Sequence, residues 1–126
     1  MKTKTKVEII KETANYYTTK NRGIDKETGA CVYLTPEGKM CAVGRCISED
    51  KIKAFAFLYC SMDIENDFPD NVTLDDYLNP EYQGHSHEFW QDVQTLHDVE
   101  SNWTYEGISQ RGKKEVEDLI LKWENK

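Results

Sequence analysis

The chain has 126 residues, of which 38% are hydrophobic and 31% charged, with 14 aromatics and a net charge of −7. That length fits one domain spanning 1–126, and the aromatics exclude a disordered chain. The acidic balance argues against DNA or RNA as the main ligand, because binding to a phosphate backbone runs on an excess of Lys and Arg.

No stretch reaches the roughly 20 apolar residues of a membrane span. The basic start MKTKTK lacks the apolar core of a signal peptide, so the expected setting is the cytoplasm. The charge is uneven: net +4 over residues 1–46, −11 over 47–100 and 0 over 101–126. A basic third beside an acidic middle reads as a solvated acidic face, as complementary pairing between subunits, or as a hold for a small anion. The lean apolar share favours a homo-oligomer, a dimer or tetramer, in which burial against a partner supplements the core.

In chain order, the first helix is predicted from about Lys4 to Thr18. Thr5 and Glu8 stand at capping-box spacing, and Val7, Ile10, Ala14 and Tyr17 share one face. Asn21-Arg22-Gly23 is read as its end, with Gly23 as the left-handed cap. A polar loop runs from Ile24 to Ala30. Two β-prone runs, 31–34 and 39–43, flank the turn Thr35-Pro-Glu-Gly38 and predict a hairpin. A four-residue loop pairs Leu34 with Lys39 and sends Cys31 and Cys41 to opposite faces. A shift of one residue brings them face to face, and spacing leaves both registers open.

Ser48-Glu-Asp50 reads as a helix N-terminus. Residues 51–60 fit a helix or a strand, and Ser48 tips the reading to helix. The stretch 62–71 reads as an acidic loop. Thr73 caps a short helix that Asn79-Pro80 stops. Ser86 starts a long helix to about Val99, with Phe89, Val93, Leu96, Trp90 and His97 on its apolar side. Trp103 and Tyr105 fall in the next loop. Ser109 starts the last helix, which runs to about Glu124 with Val116, Leu119, Ile120 and Trp123 inward. The expected fold is α+β: mostly helical, four to five helices, with one central β-hairpin.

The four cysteines, Cys31, Cys41, Cys46 and Cys60, show no C-x-x-C spacing. In a reducing compartment an even count does not imply disulfides. They read as small buried apolar residues. A structural zinc module built on Cys41, Cys46, His85 and His87 is the alternative. His97-Asp98 has the look of a metal-binding pair but lacks companions, so His97 reads as a partly buried core residue. A Cys–His nucleophile pair, Cys41 or Cys46 with His85 or His97, has no supporting signature. Phosphate-loop, dinucleotide and zinc-protease motifs are absent. The reading is therefore a non-enzyme with no cofactor and no metal.

The turn Ala42-Val43-Gly44-Arg45-Cys46 is the best candidate for a ligand site. Gly44 lets backbone N–H groups converge, and Arg45 offers a planar fork of donors for a phosphate or carboxylate. Lys39 adds charge, and Tyr33, Trp103 and Tyr105 add faces on which a base could stack. The bland reading has Gly44 relieving backbone strain and Arg45 pairing with an acid.

The run Cys31-x-Tyr33, Gly38-x-x-Cys41-Ala-Val-Gly44-Arg-Cys46, followed by Leu96-His97-Asp98, Trp103 and Gly107-Ile-Ser109, resembles a group of short phage and prophage proteins. These carry a C-x-Y…G-x-x-C-A-V-G motif. They are similar in size and setting to viral counter-defence proteins. Among those, the anti-CBASS sponges capture a host cyclic dinucleotide without cleaving it. The resemblance implies a cytoplasmic homo-oligomer that sequesters such a ligand for immune evasion. The alternative from a different class is an acidic inhibitor of a host protein, using residues 63–100.

Overall fold

Helix α1, Lys6–Tyr16, starts where Thr5 accepts from the Glu8 N–H and the Glu8 side chain accepts in return from the Thr5 N–H. This reciprocal cap satisfies two amides that a helix start otherwise leaves open. The computed structural model describes residues 3–55, 58–60 and 73–125. After α1 come α2 (Glu49–Ile52), α3 (His87–Asp98), the strands β1 (Trp103–Thr104) and β2 (Gly107–Ile108), and α4 (Gln110–Trp123). Short 3-10 turns at Gly44–Cys46, Lys53–Phe55, Leu74–Asp76, Pro80–Tyr82 and Glu100–Asn102 link them. Among the described residues the fold is α+β, mostly helical, with one antiparallel hairpin.

Three helices make the body. The inner faces of α1 and α3 supply Ile9, Ile10, Phe89, Trp90 and Val93, none of which has exposed surface. α4 closes over both and drives Trp123 edge-on against Phe89, at 5.5 Å between ring centres. Ser86 and Ser109 cap α3 and α4 through their side chains, as their positions predicted. Each large apolar side chain removed from water contributes roughly 1.5–3 kcal/mol. A dozen such residues therefore offset much of the ordering cost in a chain with a lean apolar share.

The hairpin lies elsewhere than expected. The regular ladder pairs Trp103 with Ile108 and Thr104 with Gly107, with Tyr105 in its turn. Residues 31–43 instead make single bridges. Segment 31–33 lies between two partners: Val32 donates to the Gly23 carbonyl, while Cys60 donates to Cys31 and Tyr33 to Leu58. Leu34 bridges Met40 rather than Lys39. That is the one-residue shift, and the turn is closed by the Thr35 N–H donating to the Lys39 carbonyl while the Lys39 N–H donates to the Thr35 hydroxyl. Gly38, at φ +84°, takes a turn conformation that side chains disfavour.

Two other readings change. Gly23 is not a left-handed helix cap, and α1 ends at Tyr17 in extended geometry. Gly23 is instead where two chain segments touch: a Cβ there would meet the backbone nitrogen of Cys41 at 2.3 Å. The helix expected over 51–60 stops early. α2 ends at Ile52, one 3-10 turn reaches Phe55, and Tyr59 is already bridged to Val32. Ser48 makes no side-chain cap to hold a longer helix. The acidic loop expected at 62–71 lies outside the described residues.

Candidate functional site: a cysteine cluster beside a basic cleft

The C-terminal end of α3 organises the centre of the molecule. The last carbonyls of a helix lack intrahelical partners and favour a cation. Arg22 supplies one: its Nε donates to the His97 carbonyl at 2.8 Å and its Nη2 to the Asp98 carbonyl at 2.7 Å. Trp103 Nε1 also donates to the His97 carbonyl, at 3.0 Å. His97, Asp98 and Trp103 thus meet at a helix end that Arg22 anchors.

His97 is fully buried. Its Nε2 accepts from the Gly23 N–H at 3.0 Å, so its proton sits on Nδ1, which donates to Asp98 Oδ1 at 2.7 Å. Burial lowers its pKa while Asp98 opposes the shift. It is a neutral core histidine, more deeply buried than expected.

Beside it the cysteines meet. Cys31 and Cys60 form a disulfide, with Cα atoms 5.4 Å apart. This corrects the expectation of independent buried thiols. The correction follows from the 58–60 segment lying alongside 31–33. Cys41 and Cys46 are free and buried, and burial pushes both thiols up to about 12. The sulfurs of Cys31, Cys41 and Cys60 lie within 4.8 Å of one another, and Cys31 also stands within that distance of His97 and Asp98.

Cys46, His85 and His87 join no such cluster among the described residues, against the zinc spacing read from the sequence. His85 bonds the Lys4 carbonyl instead, and Cys46 points at the Ala42 carbonyl. Gln94, which sequence reasoning passed over, is fixed at the centre. Val43 N–H donates to its Oε1, and its Nε2 donates to Cys31 at 2.6 Å and Asp98 at 3.0 Å. The available signal was a lone amide on the buried face of α3, between Val93 and His97.

The candidate ligand residues divide. Arg45 lies within a folded network, with its side chain 11% exposed. Its Nη1 contacts Glu12 at 2.7 Å, Tyr82 at 3.4 Å, and its guanidinium lies 5.0 Å from the centre of the Tyr16 ring. Lys4 and Tyr82 bind the same Glu12. Burial alone would raise the Glu12 pKa, but these hydrogen bonds bring it down to about 2. Gly44 is packed on the Tyr33 carbonyl, which a Cβ would meet at 2.4 Å. Tyr33 is wholly buried against Phe55, and Trp103 is nearly so.

Lys39 and Tyr105 are brought together. They line a cleft of about 740 Å³ together with Lys20, Arg22 and Lys26 and with Asp25, Asp98 and Glu100. A second cleft of about 310 Å³, lined by Cys31, Cys60, Gln91 and Thr95, shares Ile24, Gly29 and Asp98 with the first. The two clefts adjoin at these residues, with a lysine-lined end beside a sulfur end. No family model, curated protein or solved structure matches this chain. No helix among the described residues is long and apolar enough to cross a membrane.

Proposed function

We propose that the protein is a non-catalytic binder of a small phosphorylated ligand, and that the ligand is a cyclic dinucleotide, the class implied by the resemblance to phage proteins. On this reading it is a counter-defence sponge acting as a homo-oligomer. The single observation that carries the reading is the basic end of the groove. Lys20, Lys26 and Lys39 gather there beside Arg22, whose guanidinium is held by the His97 and Asp98 carbonyls, in a chain whose net charge is −7. Tyr105, 69% exposed, stands at the rim with a ring free for a base. The volume of about 740 Å³ falls in the range of small-molecule sites.

The ligand residues on this reading are Lys39 and Tyr105, with Lys20 and Lys26. Arg45, Tyr33, Gly44 and Trp103 do not line this cleft; Arg45 is paired with Glu12 and Tyr82, and the other three are packed inside the fold. The test is thermal melting with a panel of cyclic mono- and dinucleotides. A ligand at about 100 times its dissociation constant adds roughly 2.7 kcal/mol, a plain rise in Tm. Lys39→Ala removes one charge-assisted contact, an expected loss of about ten- to a hundredfold in affinity. Chromatography should return the ligand intact. A flat panel overturns the reading, and so does cleavage of the bound nucleotide.

A further inference from the structure

The sulfur end of the groove carries an inference that uses none of the side chains assigned to the nucleotide. We propose that Cys31, Cys41 and Cys60, once reduced, form a three-thiolate site for a zinc-class divalent cation, with its fourth position open to the groove.

Three observations carry it. First, three cysteines from separate segments converge, their sulfurs within 4.8 Å of one another. A tetrahedral zinc ion with bonds near 2.3 Å needs sulfurs about 3.8 Å apart, so a small shift suffices. A disulfide uses only two of the three and leaves Cys41 wholly buried against them. Second, amide donors already point at the sulfurs. Gly44 N–H donates to Cys41 at 3.3 Å, and Gln94 Nε2 to Cys31 at 2.6 Å, with Cys60 at 3.6 Å. Val43 fixes the Gln94 amide with its NH₂ toward the sulfurs. Thiol and disulfide sulfurs accept weakly, whereas a metal-bound thiolate is tuned by such donors. Third, Cys31 and Cys60 line the 310 Å³ cleft, so a cation has a way in and one coordination position faces solvent.

The two states interconvert with atoms and electrons balanced. A low-molecular-mass dithiol gives two electrons and two protons to the Cys31–Cys60 bond. The S–S bond breaks, two thiols form, and the dithiol leaves as its own disulfide. The cation then displaces three protons to water as three metal–sulfur bonds form. The site therefore holds metal only in the reduced protein.

The probe is Co²⁺ added anaerobically to the full chain reduced by a phosphine. The expected result is about one ion per chain, with intense near-ultraviolet thiolate-to-cobalt absorption that Zn²⁺ abolishes. Cys41→Ser and Cys60→Ser each weaken binding more than tenfold, while Cys46→Ser, at the other buried thiol, leaves it unchanged. Circular dichroism checks that each variant folds, and the titration of the unaltered chain stands whether they do or not. Two results overturn the proposal: no thiolate absorption in the folded, reduced chain, or absorption that survives Cys41→Ser in a folded variant. Nucleotide binding measured on the same samples separates this outcome from that of the nucleotide reading.

Discussion

At the residue scale, Arg45 shows how a promising side chain becomes structural. A fork of donors beside a glycine invites a phosphate, but here Glu12 and Tyr82 reach it first. Arg45→Ala is expected to leave nucleotide affinity within twofold and to cost about 2 kcal/mol of stability, a fall of roughly 8 °C in Tm. Calorimetry and melting of one variant separate the two roles, and a collapse of affinity without a fall in Tm would return Arg45 to the ligand. The same network sets a pH dependence. The Glu12 carboxyl is held at about 2 against an ordinary value of 4.5. A depressed carboxyl contributes stability that is fully present above its unfolded pKa and lost as pH falls through its folded one. Stability should therefore decline between about pH 4.5 and 2, by ~2 kcal/mol from this group, as Glu12 is partly exposed. Glu12→Gln should lie below the natural chain at pH 7 and meet it near pH 2. Parallel melting curves down to pH 2 would show that Glu12 is not the group responsible.

At the element scale, the helices were legible and the centre was not. Capping residues and three-to-four spacing act locally, so α1, α3 and α4 follow from Thr5, Ser86, Ser109 and their apolar faces. The segments 22–24, 31–34, 40 and 58–60 are held by single bridges, two of them, Arg22 to Met40 and Val32 to Tyr59, spanning long stretches of sequence. No periodicity announces such contacts, which is why the hairpin was expected at 31–43 and found at 103–108. The disulfide and the placement of Gln94 depend on those crossings, so spacing alone missed them. Lys39 and Tyr105 were legible as ligand types, but only the fold brings them to one cleft with Lys20 and Lys26. Gly23 is the tightest crossing. A Cβ there would lie 2.3 Å from Cys41 N, 2.5 Å from Met40 C and 2.7 Å from Val32 O. All three are backbone atoms, which no side-chain rotation can move aside. Gly23→Ala should therefore cost about 3 kcal/mol or more, at the upper end for overpacking. Gly29→Ala, with open space around it but a φ of +74°, should cost only about 1 kcal/mol. Equal denaturant midpoints for the two variants would show that the crossing yields.

At the scale of the whole molecule, the question is what the exposed apolar side chains meet. Leu58 and Tyr59 are 48% and 52% exposed and adjacent, next to the groove, and Tyr59 is tied by its hydroxyl to Asp25 at 2.7 Å. Tyr105, in the lining of the larger cleft, is 69% exposed. Leu121 projects from the outer face of α4, 70% exposed. Scattered exposed apolar residues are ordinary, whereas an adjacent leucine and tyrosine beside the proposed ligand groove suit a second copy laid across them. The basic third of one chain would then face the acidic middle of its partner, an arrangement that salt weakens. The expected state is therefore a dimer or tetramer at micromolar concentration, by light scattering at low salt, with a shift toward monomer as salt rises. Leu58→Ser should shift it the same way without lowering the Tm measured at high salt. Addition of the nucleotide that raises Tm should tighten the oligomer, because a ligand bound between copies stabilises only the assembled form. A monomer at all concentrations, with ligand present, would confine the site to one chain and remove the inter-subunit sponge.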